Sequence, residues 1–138
     1  MIAVFADTSY WIALTNFQDA DHDQAAAFSV SLKSRPVLTT EAVLTEYLNY
    51  FAGWGPRFRH AAATAVQAMI ATGAVRIAPH SDQLFLAGFE LYAARPDKGY
   101  SLTDCISMQT MRREGLIEAL TSDRHFEQEG FRALFRKS

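Results

Sequence analysis

The 138 residues are 49% hydrophobic and 20% charged, which excludes a disordered or low-complexity chain and fits one folded domain over residues 1–138. A net charge of −2 excludes an overall basic nucleic-acid binder, so any such contact must rest on local cations or on a metal that inverts the local field. The lone Cys105 excludes an internal disulfide and a Cys-rich zinc site, the first apolar run is too short for a signal peptide, and no stretch spans a bilayer; the expectation is a soluble, cytoplasmic protein with no membrane contact.

In chain order, residues 2–6 predict a first strand, and Thr8 or Ser9 can cap a helix through about Phe17. Asp19, Asp21 and Asp23 form a polar turn and supply the N-cap of a helix to about Lys33. Pro36-Val37-Leu38-Thr39 reads as a second strand, after which Thr40 caps a helix to about Ala52. Gly53-Trp54-Gly55-Pro56 breaks the chain, and Pro56 suits the first turn of a helix to about Thr72 that ends at Gly73. Residues 74–78 predict a third strand, Ser81 caps a helix to about Ala94, and residues 95–99 form a loop. Ser101 caps a further helix that stops at Gly115; residues 118–121 predict a fourth strand, followed by a tight turn at Ser122-Asp123, and residues 131–135 a fifth. Strands separated by helical stretches imply a parallel sheet covered on both faces.

The chemistry lies in the acids. Asp7 closes the first apolar run and is followed by Thr8 and Ser9, so it sits at the carboxyl end of a buried strand, where open α/β proteins bind ligands. Asp is also a good N-cap residue, so capping the next helix is the competing role. Glu46 borders the apolar face of Val43, Leu44, Tyr47, Tyr50 and Phe51, where a carboxylate needs a partner or a proton, unless it reaches water at the edge. Asp104 follows Ser101 by three residues, close to a capping box, and Asp123 follows a strand, where it can close an Asx turn. Each acid has a structural explanation of its own. Together they lie at strand end, helix face, helix start and strand end, and Asp7 and Asp123 share one rim of a parallel sheet. Crowded carboxylates repel unless a cation neutralises them, and oxygen ligands without Cys favour Mg²⁺ or Mn²⁺ over Zn²⁺. His22, His60, His80 and His125 show no metal spacing and read as surface or capping residues.

Four segments then match a known pattern: Ala6-Asp7-Thr8-Ser9, Leu44-Thr45-Glu46, residues 100–107 around Asp104, and residues 120–126 around Asp123. In order and spacing the chain resembles the PIN-domain ribonucleases, and among them the VapC-type toxins of toxin–antitoxin pairs. The resemblance implies a three-layer sandwich, with a central parallel sheet of about five strands flanked by helices and the acids gathered in a groove. It implies Asp7 and Asp104 as principal metal ligands, Glu46 and Asp123 completing the cluster, and Thr8 and Thr121 as supporting hydroxyls. It implies Mg²⁺-dependent hydrolysis of RNA, with Mn²⁺ as a substitute, an antitoxin partner and a homodimer.

Lys98 and Arg124, near the acids in sequence, are the phosphate-binding candidates; Arg57, Arg59, His60, Arg112 and Arg113 read as solvated surface. The aromatic hairpin of residues 40–72 reads either as core packing or, in part, as an interface. The competing functional reading is a catalytically silent PIN-like scaffold that binds a protein partner. A haloacid-dehalogenase-like hydrolase is disfavoured because Ser9 stands where a second Asp belongs, and a receiver domain because the third strand ends in Ala78-Pro79 rather than Asp.

Overall fold

The computed structural model describes residues 2–31 and 35–135. Its elements are β1 (Val4–Ala6), α1 (Thr8–Thr15), α2 (His22–Ser31), β2 (Val37–Thr40), α3 (Glu41–Phe51) and α4 (Pro56–Thr72). They continue with β3 (Val75–Ala78), α5 (Asp82–Ala94), α6 (Leu102–Glu114), β4 (Glu118–Leu120), α7 (Arg124–Gln128) and β5 (Arg132–Ala133). The strands pair in the order β3-β2-β1-β4-β5, and every pairing is parallel. Parallel strands need crossovers that bury both faces of the sheet. Accordingly Val4, Phe5, Ala6, Ala119 and Leu120 are all fully buried, although consecutive side chains point to opposite faces.

The sheet is flanked by helices, as expected, and the helix boundaries follow local chemistry. Thr40, Ser81 and Ser101 accept hydrogen bonds from the backbone N–H groups of Val43, Leu84 and Asp104, so these three caps read from sequence are caps in the structure, whereas Thr8 and Ser9, expected to cap the first helix, lie inside it and Asp7 stands at its N-cap position. Pro56 opens α4, and Gly73 ends it in the left-handed region at φ 65°. The first helix stops at Thr15, short of the expected Phe17; Asn16 closes it with an N–H bond to Ile12 and takes an extended conformation. The expected end of the second helix at Lys33 lies outside the described residues. The turn expected at Ser122-Asp123 leads into the short helix α7, capped by Asp123, and only Arg132 and Ala133 of the expected fifth strand join the sheet. Among the described residues no helix is long and apolar enough to cross a membrane.

In the aromatic hairpin Phe51 is fully buried, with its ring stacked on Phe58 at 5.4 Å, whereas Tyr50 and Trp54 form a partly exposed rim against it. Core packing therefore accounts for the centre of that cluster. The tightest helix contact lies elsewhere, between α5 and α6. A Cβ added at Gly88 would come 2.5 Å from the Ile106 side chain and 3.1 Å from its backbone nitrogen. The side chain can turn away, but the backbone of α6 cannot without moving the helix that carries Asp104. Gly88→Ala is therefore expected to lose about 1–3 kcal/mol, the usual cost of overpacking, and to lower the melting temperature by several degrees in a calorimetric scan.

Candidate metal centre

The chain runs outward from β1 through β2 to β3, then returns to pair β4 with the opposite edge of β1. The connections leaving β1 and β4 therefore diverge, and a crevice opens between them at the carboxyl ends of these strands. This is the switch point at which parallel α/β sheets bind ligands. Asp7 follows β1 and Thr121-Ser122-Asp123 follows β4, so both expected acids face this crevice.

Asp7 occupies the N-cap position of α1, yet its side chain makes no cap bond. Its Oδ2 accepts instead from the Thr121 hydroxyl at 2.9 Å and from the Ser9 hydroxyl at 3.2 Å. The helix-cap role, which competes with a ligand role in the sequence, is thus absent from the structure. The carboxylate is only 4% exposed. Burial, with the charges of Asp104 and Asp123 added, overrides the donors from Thr121 and Thr8 and pushes its pKa up to about 7.

Thr121 couples the two sides of the crevice. It leaves β4 and closes a turn onto Ala119, and its hydroxyl then donates to Asp7 and accepts from the N–H of Asp123 at 3.0 Å. Thr8, at the start of α1, is also buried; its backbone N–H bears on the Asp7 carboxylate, while its hydroxyl makes no hydrogen bond among the described residues.

Asp104 stands at the start of α6 and completes the capping box: Ser101 N–H donates to its Oδ2 at 3.1 Å, while Ser101 Oγ accepts from its backbone N–H. It is 9% exposed. Burial raises its pKa, the Ser101 N–H opposes that rise, and the charges of Asp123 and Glu46 add to it. Glu46 is half-buried on α3, near enough for its charge to act on Asp104.

Asp123 caps α7 by accepting from the N–H of His125 at 2.9 Å. That turn folds His125 back into the cluster, with Nδ1 at 3.5 Å from Asp104 Oδ2 and 3.4 Å from Asp123 Oδ1. Ligand atoms of Asp104, Asp123 and His125 all lie within 4.8 Å of one another. His125, read from sequence as a surface or capping residue, is therefore brought into the acidic cluster. The available signal was its position two residues after Asp123, where an Asx turn reverses the chain.

The cationic candidates fare differently. Lys98 is half-exposed and lies 3.9 Å from Asp97; Arg124 is exposed and forms no ion pair among the described residues. Arg112, expected to be solvated, instead binds Glu129 at 2.8 Å and stacks over Phe131.

The donor set is carboxylate oxygen with one imidazole, and the neighbouring carboxylates add to the raised pKa of Asp7 and of Asp104. His125 Nδ1 is buried between the Asp104 and Asp123 carboxylates, with no well-formed hydrogen bond among the described residues. These groups fit a hard or borderline divalent cation, which would relieve the crowding and could take up that nitrogen.

Comparison with known proteins gives three concordant results. The PIN domain family model matches residues 4–131. The 23S rRNA-specific endonuclease VapC20 of Mycobacterium tuberculosis, strains CDC 1551 / Oshkosh and H37Rv, is 32% identical over 128 residues, covering 93% of this chain and 95% of that protein. The crystal structure of M. tuberculosis VapC20, described as a Sarcin-Ricin loop cleaving toxin, superposes with a TM-score of 0.84 at 29% identity, covering 94% of this chain and 96% of that one. DNA-bound VapBC from Salmonella typhimurium matches with a TM-score of 0.65 at 17% identity over 96% and 97% of the two chains, a likeness of fold alone.

Proposed function

This chain belongs to the PIN-domain family, and we propose that it is a metal-dependent endoribonuclease acting as the toxin of a toxin–antitoxin pair. The observation that carries this reading is the Asp7 carboxylate: it forgoes the helix cap open to it and is turned by Thr121 toward the charges of Asp104 and Asp123. Two hydroxyl donors do not offset the cost of keeping a carboxylate buried beside two others, whereas a cation in the site would.

In this reading Asp7 and Asp104 hold Mg²⁺, or Mn²⁺ in its place, with Glu46, Asp123 and His125 around them. Such a cation supplies Lewis-acid polarisation of the phosphate and a water made acidic enough to attack at neutral pH. Thr121 and Ser9 fix the Asp7 oxygen in direction, so that it needs no reorganisation when RNA arrives. Asp123 is fixed by its cap bond to α7, and in this reading Glu46, less buried, would orient the attacking water or accept its proton. Lys98 and Arg124 are the candidates for the RNA backbone. Water attack leaves a 5′-phosphate and a 3′-hydroxyl.

The substrate class that the VapC20 resemblance suggests is a structured loop of large-subunit ribosomal RNA. The same resemblance suggests a cytoplasmic protein, a cognate antitoxin that occupies the acid groove, and a homodimer. The test is cleavage of a sarcin–ricin-loop hairpin and of a mixed structured RNA pool. Cutting in Mg²⁺ or Mn²⁺, its loss in EDTA, and its return on adding metal are the expected results, with 5′-phosphate ends detected by end-labelling. Products ending in a 2′,3′-cyclic phosphate, or cutting that persists in EDTA, would sink the scheme; no cutting of either RNA would leave the silent scaffold.

A further inference from the structure

A second cleft of about 460 Å³ opens between α3 and the starts of α5 and α6. Asn49 and Glu46 line it from α3, Thr103 and Ile106 from α6, and His80 and Phe85 close its outer end. Glu46 ties the cleft to the metal centre, because its charge also acts on Asp104, the neighbour of Thr103 in sequence. The two spaces are therefore adjoining parts of one groove.

The lining selects its occupant. No lysine or arginine contributes to it, and its one carboxylate would repel a phosphate or an acidic side chain. Phe85 keeps 41% of its surface exposed at the entrance, with the His80 ring edge-on at 6.3 Å. The Phe89 ring lies parallel to Phe85 at 6.4 Å, and an exposed aromatic ring is a surface on which a base can stack. Asn49 offers an amide with both donors and an acceptor, and this amide makes no hydrogen bond among the described residues. An aromatic platform, an apolar floor at Ile106 and an unused amide suit a neutral planar heterocycle with polar edges.

We infer that this cleft receives one unpaired base of the RNA substrate, stacked on Phe85 and read at its edge by Asn49, close to the phosphate that is cut. The inference rests on the ribonuclease reading above and adds to it how the site selects RNA: a base must be splayed out of its helix to enter. Loops and bulges can supply such a base and regular duplex cannot.

The test uses the full chain, a sarcin–ricin-loop hairpin, and a set of the same hairpins with an abasic nucleotide at each loop position. Base stacking on an aromatic is worth about 1–3 kcal/mol, so Phe85→Ala is expected to lower kcat/KM by about 10- to 100-fold, mainly through KM, with an unchanged melting temperature. Phe85→Tyr, which keeps a ring face, recovers most of that loss. One abasic position costs the wild type a similar factor and costs Phe85→Ala nothing more. A Phe85→Ala protein that cleaves like wild type, or abasic losses that add to the mutation at every position, would overturn the base slot while leaving the ribonuclease intact. A wild type that cleaves neither the hairpin nor an RNA pool removes both readings together.

Discussion

Asp7→Asn is expected to abolish RNA cleavage, with kcat/KM falling by about 10³-fold or more, while the metal-free protein becomes more stable above neutral pH. The activity loss follows from removing one anionic ligand of a cation whose electrostatic contribution to the transition state is several kcal/mol, where each 1.36 kcal/mol is tenfold in rate. The stability gain follows from the position of Asp7 in the fold. Its pKa is about 7 in the folded chain against 3.8 for the free side chain, because it is buried and faces Asp104. The folded state therefore binds this proton more tightly than the unfolded state does. The stability of the protonated form is complete below about pH 4 and is lost as pH rises toward 7. Above pH 7 the ionised group costs of the order of 4 kcal/mol in the absence of metal. Asparagine keeps an acceptor for Thr121 and Ser9 but does not ionise, so the mutant loses this slope. Melting curves from pH 4 to 8, with and without Mn²⁺, check the whole chain of reasoning. Wild type should recover in metal what it loses with pH, by mass action on the folded state. A mutant stabilised by metal as much as wild type would remove Asp7 from the ligand set.

The same geometry explains which parts of the site could be read from the chain and which could not. Asp7, Asp104 and Asp123 were legible because each lies where an element begins or ends, and those points are marked by local chemistry: an apolar run closing, a serine cap, an Asx turn. The caps at Thr40, Ser81 and Ser101 act over three residues, and three-residue rules survive folding. His125 was not legible as a member of the cluster. Metal spacing in sequence presumes ligands on one helix or loop, whereas this cluster is assembled from the starts of α6 and α7. The five-residue α7 is itself too short to show a helical period, so the segment reads as a plain turn. Thr121, expected as the last residue of the fourth strand and, from the resemblance, as a supporting hydroxyl, lies in the turn after β4 and donates its hydroxyl to Asp7. The Phe85 cleft was illegible for another reason: its walls come from residues 46, 80, 85 and 106, and nothing in their spacing announces a shared space. Arg112 read as solvent-facing, and Arg95 only as part of a loop, because the carboxylate that binds them is 17 and 34 positions away.

That carboxylate, Glu129, supports the second large prediction: Glu129→Gln should lower stability by about 2 kcal/mol and weaken cleavage without touching a ligand. Glu129 ends α7, and its side chain is 5% exposed. It accepts from Arg95 Nε at 2.9 Å, Arg112 Nη2 at 2.8 Å and the Tyr100 hydroxyl at 3.0 Å. Three segments, the residue after α5, the loop before α6 and the end of α6, are thereby fastened to the helix whose start carries Asp123 and His125. The Tyr100 ring also lies 5.2 Å from the His125 ring. Burial alone would raise the pKa of Glu129, but the donors from Arg112, Arg95 and Tyr100 outweigh it and hold the group down at about 2, against an ordinary 4.5. The folded state here binds the proton less tightly than the unfolded state. The contribution is therefore present above pH 4.5 and lost as pH falls toward 2, the opposite sense to Asp7. Breaking a fully buried pair costs about 3–5 kcal/mol; Arg95 and Arg112 are 38% and 40% exposed and can recover water, which brings the expected loss down to about 2 kcal/mol. Urea melts at pH 7 and at pH 3 measure it: the gap between wild type and Glu129→Gln should narrow at the lower pH. Because glutamine loosens the end of α7 and leaves its cap in place, the fall in cleavage should appear mostly in kcat and should shrink at saturating Mn²⁺. A mutant equal to wild type in stability at pH 7 would show that the arginines hold α7 by packing alone.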